Sequence, residues 1–446
     1  MEKQEKFVLA EAAKWTSIAS IIGVLLNLSF NSLLTHIAAP SVVGITLAFI
    51  ALGTLISQFL QFGFQTSVVA IISSALARDE HFDGASVAKK IFVLIALNAL
   101  VAGLLLVLIS HVYTPDIFSF FADHGQTIIP LLLTIFAFAL ALRSVAASID
   151  RSFERNAQAT LSGALLPSLL QLLFLGGLAV IAESPTASKI ICIFVFAHLL
   201  CTAIYIKYTL SALPNGQSST SYSVFTLYRT GSLFFVNGFI FALFSQLGVL
   251  YLQYLGAFQE LAIYGVPSRL MITVSVPVMM LMQYLTPHIS KSLVAGKFNS
   301  LNRITKAATT ICFLYYFSLL IFFYLFGETT FTVLFGEFYS QANDIMLILL
   351  LGSMISVIFG FVIKIIEMSK YKNFSFFPGV ISIFVTMATM PLAYERYSTI
   401  GVAFSIAAGV IISRALGCLI IYKYLGILTF GFFNFFKLLK IKEKNE

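Results

Sequence analysis

WTSIASIIGVLLNLSFNSLLTHIAAPSVVGITLAFIALGTLISQFLQFGFQTSVVAIISSALA, running from Trp15 to Ala77, holds 63 residues without one Asp, Glu, Lys or Arg. A helix needs about 20 apolar residues to cross ~30 Å of hydrocarbon. The stretch therefore contains two crossings, divided at the short turn Ala39-Pro40-Ser41. Further charge-free runs cover Ile91–Pro115, His124–Leu142, Asn156–Ala182, Ile190–Ile206, Thr230–Gln259, Leu270–Ser290, Ala307–Gly327, Ile345–Ile363 and Asn373–Tyr394. A last span, about Ile400–Tyr424, carries Arg414 inside it. Runs this long are helical, because barrel strands are about ten residues and alternate in polarity.

Composition points the same way. The 446 residues are 59% hydrophobic and 10% charged, whereas soluble domains are about a quarter charged. A water-soluble fold of this size cannot hide so much apolar side chain. The expectation is an all-α integral membrane protein with about twelve transmembrane helices in two six-helix lobes. Soluble enzymes, nucleic-acid partners and disulfide scaffolds are excluded. The cysteines Cys192, Cys201, Cys312 and Cys418 sit in apolar runs without ligand spacing, so neither a metal nor a cofactor is expected.

Lys and Arg set the orientation. With the N-terminus inside, 23 of the 27 fall on cytoplasmic segments and helix ends, and only Lys189 and Arg396 fall outside. Both termini are thus expected in the cytoplasm, giving the net charge of +8 a topological meaning. The first span shows no signal-peptide cleavage pattern and is expected to stay as an anchor. Outer loops such as Tyr113–Gln126 and Gly327–Gln341 are too short for a folded domain. The Pro/Gly/Ser-rich segment around 213–222 reads as a linker. It divides residues 1–212 from 229–424, with 213–228 between them and a basic tail at 425–446. The stretch around Leu425–Leu439 mixes Phe432, Phe433, Phe435 and Phe436 with Lys437 and Lys440, as in a segment lying along the inner membrane surface. The halves are weakly alike: Ala39-Pro40-Ser41-Val42-Val43-Gly44-Ile45 and Leu261-Ala262-Ile263-Tyr264-Gly265-Val266-Pro267 each follow a short outer turn. Parallel repeats of this kind are a transporter architecture.

The six-plus-six plan, Gly44 opening the second span, Gln61-Phe62-Gly63-Phe64-Gln65 with Ser73-Ser74-Ala75-Leu76-Ala77-Arg78 after it, and Tyr264-Gly265 opening the eighth span resemble the MOP flippase superfamily. Within it the likeness is to Wzx-type O-antigen flippases, over about Lys14 to Tyr424. Where the family commonly has an acidic residue before a glycine, this chain has Phe62-Gly63. No carboxylate role transfers to that position. The resemblance implies a MATE-like pair of lobes around a cavity lined by spans 1, 2, 7 and 8. It also implies a bacterial inner-membrane setting and an undecaprenyl-diphosphate-linked oligosaccharide carried outward. Implied partners are that lipid-linked cargo, membrane lipids, a polysaccharide polymerase and a chain-length regulator.

Such cargo asks for cations and hydrogen-bonding side chains. Arg414 lies nine residues from Lys423, about 13 Å along a helix and near the midplane. A lone Arg there costs ~2.5–3.5 kcal/mol on insertion scales; capping of helix carbonyls and cargo contact are equally good readings of it. Arg269 is placed a turn inside the outer end of the eighth span, where it either snorkels or, as the family cavity favours, holds diphosphate. Arg143 heads a stripe with Arg151 and Arg155 beside Asp150 and Glu154, which reads as a solvated ion-pair cluster with anion contact as the alternative. Asn27 with Asn31, and Gln58 with Gln61 and Gln65, each share a helix face. The seventh span adds Asn237, Gln246 and Gln253. Any one of these can serve interhelical packing, and the set suits glycan contact. Pro267, Pro277 and Pro287 make the eighth span bendable.

Two rivals remain. A cation-coupled multidrug exporter shares the fold but favours a buried carboxylate, and spans 1 and 2 have none. A polysaccharide polymerase needs a large outer loop with catalytic residues, which the chain lacks. No nucleophile triad, metal cluster or phosphate loop is visible, so the expectation is a transporter and not an enzyme.

Overall fold

The computed structural model describes residues 2–76, 78, 81–112, 128–182, 185–214 and 222–431. Among them there is no strand. The helices are α1 (Glu2–Ile37), α2 (Pro40–Gln61), α3 (Phe64–Leu76), α4 (His81–Val112) and α5 (Ile128–Ser152). Next come α6 (Asn156–Thr160), a π turn (Leu161–Leu165) and α7 (Leu166–Ile181), then α8 (Ala187–Ser211) and α9 (Val224–Tyr254). The remainder are α10 (Phe258–Val274), α11 (Val276–Val294), α12 (Phe298–Phe335), α13 (Ala342–Val357), α14 (Val362–Met368) and α15 (Phe377–Leu425).

Nine helical segments among the described residues are long and apolar enough to cross a membrane, or ten with α13–α14, which bends by 48°. The two other expected crossings are present in altered form. At 49 residues, α15 would be about 73 Å long, twice the hydrocarbon thickness, and it is broken at Ser398 (φ 48°, ψ −134°). The fifth crossing is the composite α6–π–α7. Pro167 lacks an N–H and its ring crowds the carbonyl four residues back, which is where the helix widens into the π turn.

Three spans are interrupted among the described residues. The second breaks at Phe62 and Gly63, both left-handed, the eighth at Ser275, and the tenth around Gly360 (φ 82°). Broken spans leave backbone groups unpaired inside lipid, so each break must be braced from a neighbour.

The chain forms two compact units, Met1–Ala262 and Ile263–Glu446, and passes from one to the other within α10. Of the 213–228 segment expected to join two lobes, residues 215–221 lie outside the described ones. Aromatic packing explains why α9 belongs with the first unit. Phe235 stacks on Phe62 at 4.8 Å, Tyr228 meets Phe62 at 5.2 Å and Phe64 at 5.3 Å, and Phe59 meets Phe235 at 5.7 Å. Gly63 and Gly231 cross with so little space that a Cβ on Gly63 would collide with the Gly231 carbonyl. The first core joins Leu60, Phe64, Val68 and Ile72 to Ile91, Ile95, Val145 and Ile149. The second joins Leu285, Ile289 and Cys312 to Val362, Ile365, Cys418 and Ile421.

The chain beyond α15 corrects one expectation. Instead of lying wholly on the surface, it enters the second core: Thr429 is 0% exposed and Ile427 is buried, while the alternate residues Leu428 and Phe430 are exposed. The Thr429 hydroxyl donates to the Phe359 carbonyl at 2.9 Å, and Gly431 N–H donates to the Ile358 carbonyl at 3.1 Å. This strap pairs the carbonyls of the two residues just past α13, where the tenth span breaks. The Phe- and Lys-bearing residues 432–446, like the outer loop at 113–126, fall outside the described residues.

Candidate functional site

In the first unit, polar side chains gather at the break between α2 and α3. Asn98 on α4 donates from Nδ2 to the Leu60 carbonyl at 2.9 Å, and its Oδ1 accepts from Tyr228 Oη at 2.7 Å. An α2 carbonyl freed by the break is thus paired, by two residues that the charge pattern did not single out. Gln61 is 3% exposed and donates to Ser57 Oγ at 2.9 Å, while its Oε1 has no partner among the described residues. Gln58 and Gln65 are half-buried, and Gln58 Oε1 would be 3.7 Å from a Cβ on Gly238 of α9. The three glutamines are therefore not equivalent: Gln61 is part of the packing, and Gln58 and Gln65 keep accessible amides.

Asn27 and Asn31 pair with each other. Asn31 Nδ2 donates to the Asn27 carbonyl at 2.7 Å and to Asn27 Oδ1 at 3.1 Å. On α9, Asn237 and Gln246 are half-buried and Gln253 is 6% exposed. Gln246 lies 3.5 Å from Ser245 Oγ, and Gln253 Oε1 is buried without a partner among the described residues.

Arg143 does not belong to a solvated cluster. It is 9% exposed and its Nη1 lies 2.9 Å from His198 Nδ1 on α8. A guanidinium only donates, so Nδ1 carries the lone pair and Nε2 the proton. That proton points at the Gln171 amide of α7, 2.6 Å away, whose oxygen must face it. Phe136 and Phe194 close over the imidazole at 5.0 and 4.6 Å. Asp150 is equally unlike a surface acid: it is 0% exposed and accepts from Tyr205 Oη at 2.6 Å and Thr209 Oγ1 at 2.9 Å, with Arg155 at 3.6 Å. Only Arg151 and Glu154 of that group are exposed. The α5–α8 seam is an internal polar network. His198 and Gln171 went unread because the charge-free runs that locate spans ignore His and Gln.

In the second unit, Arg269 is half-buried, and its guanidinium has no ion pair or hydrogen bond among the described residues; only its carbonyl is used, by Thr273 at 3.3 Å. Its depth differs from the expectation. The helix begins at Phe258, so Arg269 is eleven residues in, about 16 Å, and not one turn from the end. Glu260 in the first turn of α10 ended the charge-free run and disguised where the helix starts. Arg414 on α15 is half-buried, with the Glu367 carboxylate and the Tyr316 hydroxyl as its electrostatic neighbours. Glu367 also binds Lys364 at 2.6 Å, and Tyr316 Oη donates to Ser275 Oγ at 3.1 Å at the break of the eighth span. Arg414 thus lies within electrostatic reach of an acid, whereas Arg269 has no such neighbour among the described residues.

The described part of the chain therefore offers neutral amides around a broken helix in one unit and an unpaired deep cation in the other. Hydroxyl-rich and anionic groups are what such side chains bind.

No family model and no curated protein sequence matches the chain. Its fold matches solved structures at low sequence identity. An inward-facing multidrug-resistance MATE family transporter of the MOP superfamily aligns with TM-score 0.72 and 15% identity, covering 92% of this chain and 96% of that one. The Vibrio cholerae MATE transporter VcmN in its bent form gives 0.62 and 16%, covering 93% and 97%. The lipid II flippase MurJ, inward closed, gives 0.67 and 14%, covering 91% and 87%.

Proposed function

We propose that this chain, with the all-α fold that MATE transporters and a lipid II flippase share, is a flippase for an anionic lipid-linked oligosaccharide. In this reading it moves an undecaprenyl-diphosphate-linked unit of the O-antigen repeat kind between leaflets of a bacterial inner membrane, from the cytoplasmic side outward, by alternating access. Residues 1–212 and 229–424 are the moving lobes and 213–228 joins them, with both termini cytoplasmic. The observation that carries the reading is Arg269: a half-buried guanidinium, about 16 Å along α10, with no partner among the described residues. The amides of Gln58 and Gln65 supply neutral hydrogen bonds suited to sugar. The deciding experiment is accumulation of lipid-linked intermediate on the cytoplasmic side in a deletion strain, relieved by the wild-type gene.

A cation-coupled exporter is the second reading, and one observation favours it. Glu260 Oε2 and Gln253 Oε1 are both buried acceptors without partners among the described residues. If they held a cation, transport would require a sodium or proton gradient at fixed membrane potential. Flipping of a diphosphate needs none, because an inside-negative potential drives it outward by ~2.3 kcal/mol per charge per 100 mV.

A further inference from the structure

The segment between α14 and α15 reads Met368-Ser369-Lys370-Tyr371-Lys372-Asn373-Phe374-Ser375-Phe376-Phe377-Pro378 and carries no acid. Its backbone is fixed. Ser369 Oγ donates to the Ile366 carbonyl at 2.9 Å and accepts from Tyr371 N–H at 3.1 Å, and Phe374 N–H reaches the Tyr371 carbonyl at 2.9 Å. These bonds hold Tyr371 and Phe374 against Tyr424, near the end of α15, at ring separations of 4.8 and 5.2 Å. Two exposed ammonium groups flank the stack: Lys370 Nζ is 5.1 Å from the Tyr371 ring centre and Lys423 Nζ 5.6 Å from that of Tyr424. The nearest acid in sequence, Glu367, is already bound to Lys364 at 2.6 Å. From Met368 to Ala393 and from Arg396 to Gly431 there is none.

An apolar track leaves the same place. Phe377, Ile381 and Phe384 are all exposed and stand at i, i+4 and i+7, one stripe along α15 beginning at the aromatic stack. A pair of cations with no ion-pair partner among the described residues, on an aromatic platform continuous with an exposed apolar stripe, fits an amphiphile whose anion sits at the lysines and whose chain lies on the helix. A soluble anion would make no use of the stripe. We propose that Lys370, Lys423 and the Tyr371–Phe374–Tyr424 stack form a binding site for the phosphate head group of an anionic phospholipid drawn from the surrounding bilayer. The site is separate from Arg269 and does not depend on what the chain transports.

The test uses the full chain in detergent, titrated with phosphatidylglycerol, phosphatidylcholine or inorganic phosphate, with bound lipid counted by native mass spectrometry. The wild type should retain phosphatidylglycerol over phosphatidylcholine, and each lysine removed should lower that preference about fivefold. Lys370→Gln with Lys423→Gln therefore removes most of it, and Lys423→Arg keeps it. Both lysines are exposed, so the variants should fold as the wild type does. Equal retention by the Gln pair and the wild type overturns the site. So does an equal loss from Lys297→Gln with Lys306→Gln, which would make the effect a property of basic surface in general. Displacement of lipid by millimolar inorganic phosphate would assign the site to a free anion instead.

Discussion

Charge and partner, more than position, separate the arginines of this chain. Arg269 has no partner among the described residues; if it binds the proposed cargo, the property that matters is its charge, with bidentate geometry as a second increment. In complementation of a deletion strain, Arg269→Ala should abolish surface glycan, Arg269→Lys should keep part of it, and Arg269→Glu should match Ala or do worse. Full function from the Ala variant at normal abundance removes Arg269 from the site. Arg143 should behave in the opposite way. His198→Phe takes one acceptor from a buried guanidinium, which keeps the Cys201 thiol, a loss of about 1–3 kcal/mol, and membrane abundance should fall. Arg143→Met combined with His198→Phe should restore abundance, because an apolar pair replaces the ion and its acceptor. Failure of that rescue would show that the cation itself is used. Swapping Gln58 and Gln65 to Leu should lower glycan while protein level holds, since Leu is cheaper in lipid than Gln. Gln61→Leu should act on abundance, because Gln61 is packed against Ser57.

At the level of elements, the spans were legible because hydrocarbon excludes charge. The rule fails wherever charge is tolerated near an end. Glu260 in the first turn of α10 shortened the apparent span and pushed Arg269 toward the surface on paper. The interruptions were harder still. Gln61-Phe62-Gly63-Phe64-Gln65 was conspicuous as a motif, but nothing in it says that Phe62 adopts φ 45°. That conformation depends on α9 crossing at Gly231 and on Asn98 reaching the Leu60 carbonyl from α4, both distant in sequence. Asn98→Ala would leave that carbonyl and the Tyr228 hydroxyl unpaired, at about 1–3 kcal/mol for each. Thermal unfolding of the purified variant should show the loss, and unchanged stability would mean that water takes over both bonds.

For the whole molecule, a six-plus-six division was read from a polar linker, yet the compact units part inside α10 and α9 packs on α2 and α3. Composition marks a linker without saying which helices pack together; packing of Phe62, Phe64, Tyr228 and Phe235 decides which helices cohere. If residues 1–212 and 229–424 move as lobes, this aromatic contact must open in every cycle. A disulfide between Phe62→Cys and Phe235→Cys should therefore arrest transport, and reduction should restore it. Undiminished transport by the cross-linked protein would place the moving boundary elsewhere, at the division within α10.

The strap after α15 sets an order on biogenesis. The carbonyls of Ile358 and Phe359 are completed by Gly431 and Thr429, and the second of these bonds spans 70 residues of sequence. A ribosome adding roughly 5–20 residues per second takes about 4 to 14 s to make that length. The tenth span therefore enters the bilayer with its broken turn unfinished until residues 429–431 have been made. Until then the vacancy is open to water or to the insertion machinery. A stop codon just before Gly426 should leave it so permanently, with the product handed to membrane proteases, whereas one just after Gly431 should yield a protein that matures at the normal rate.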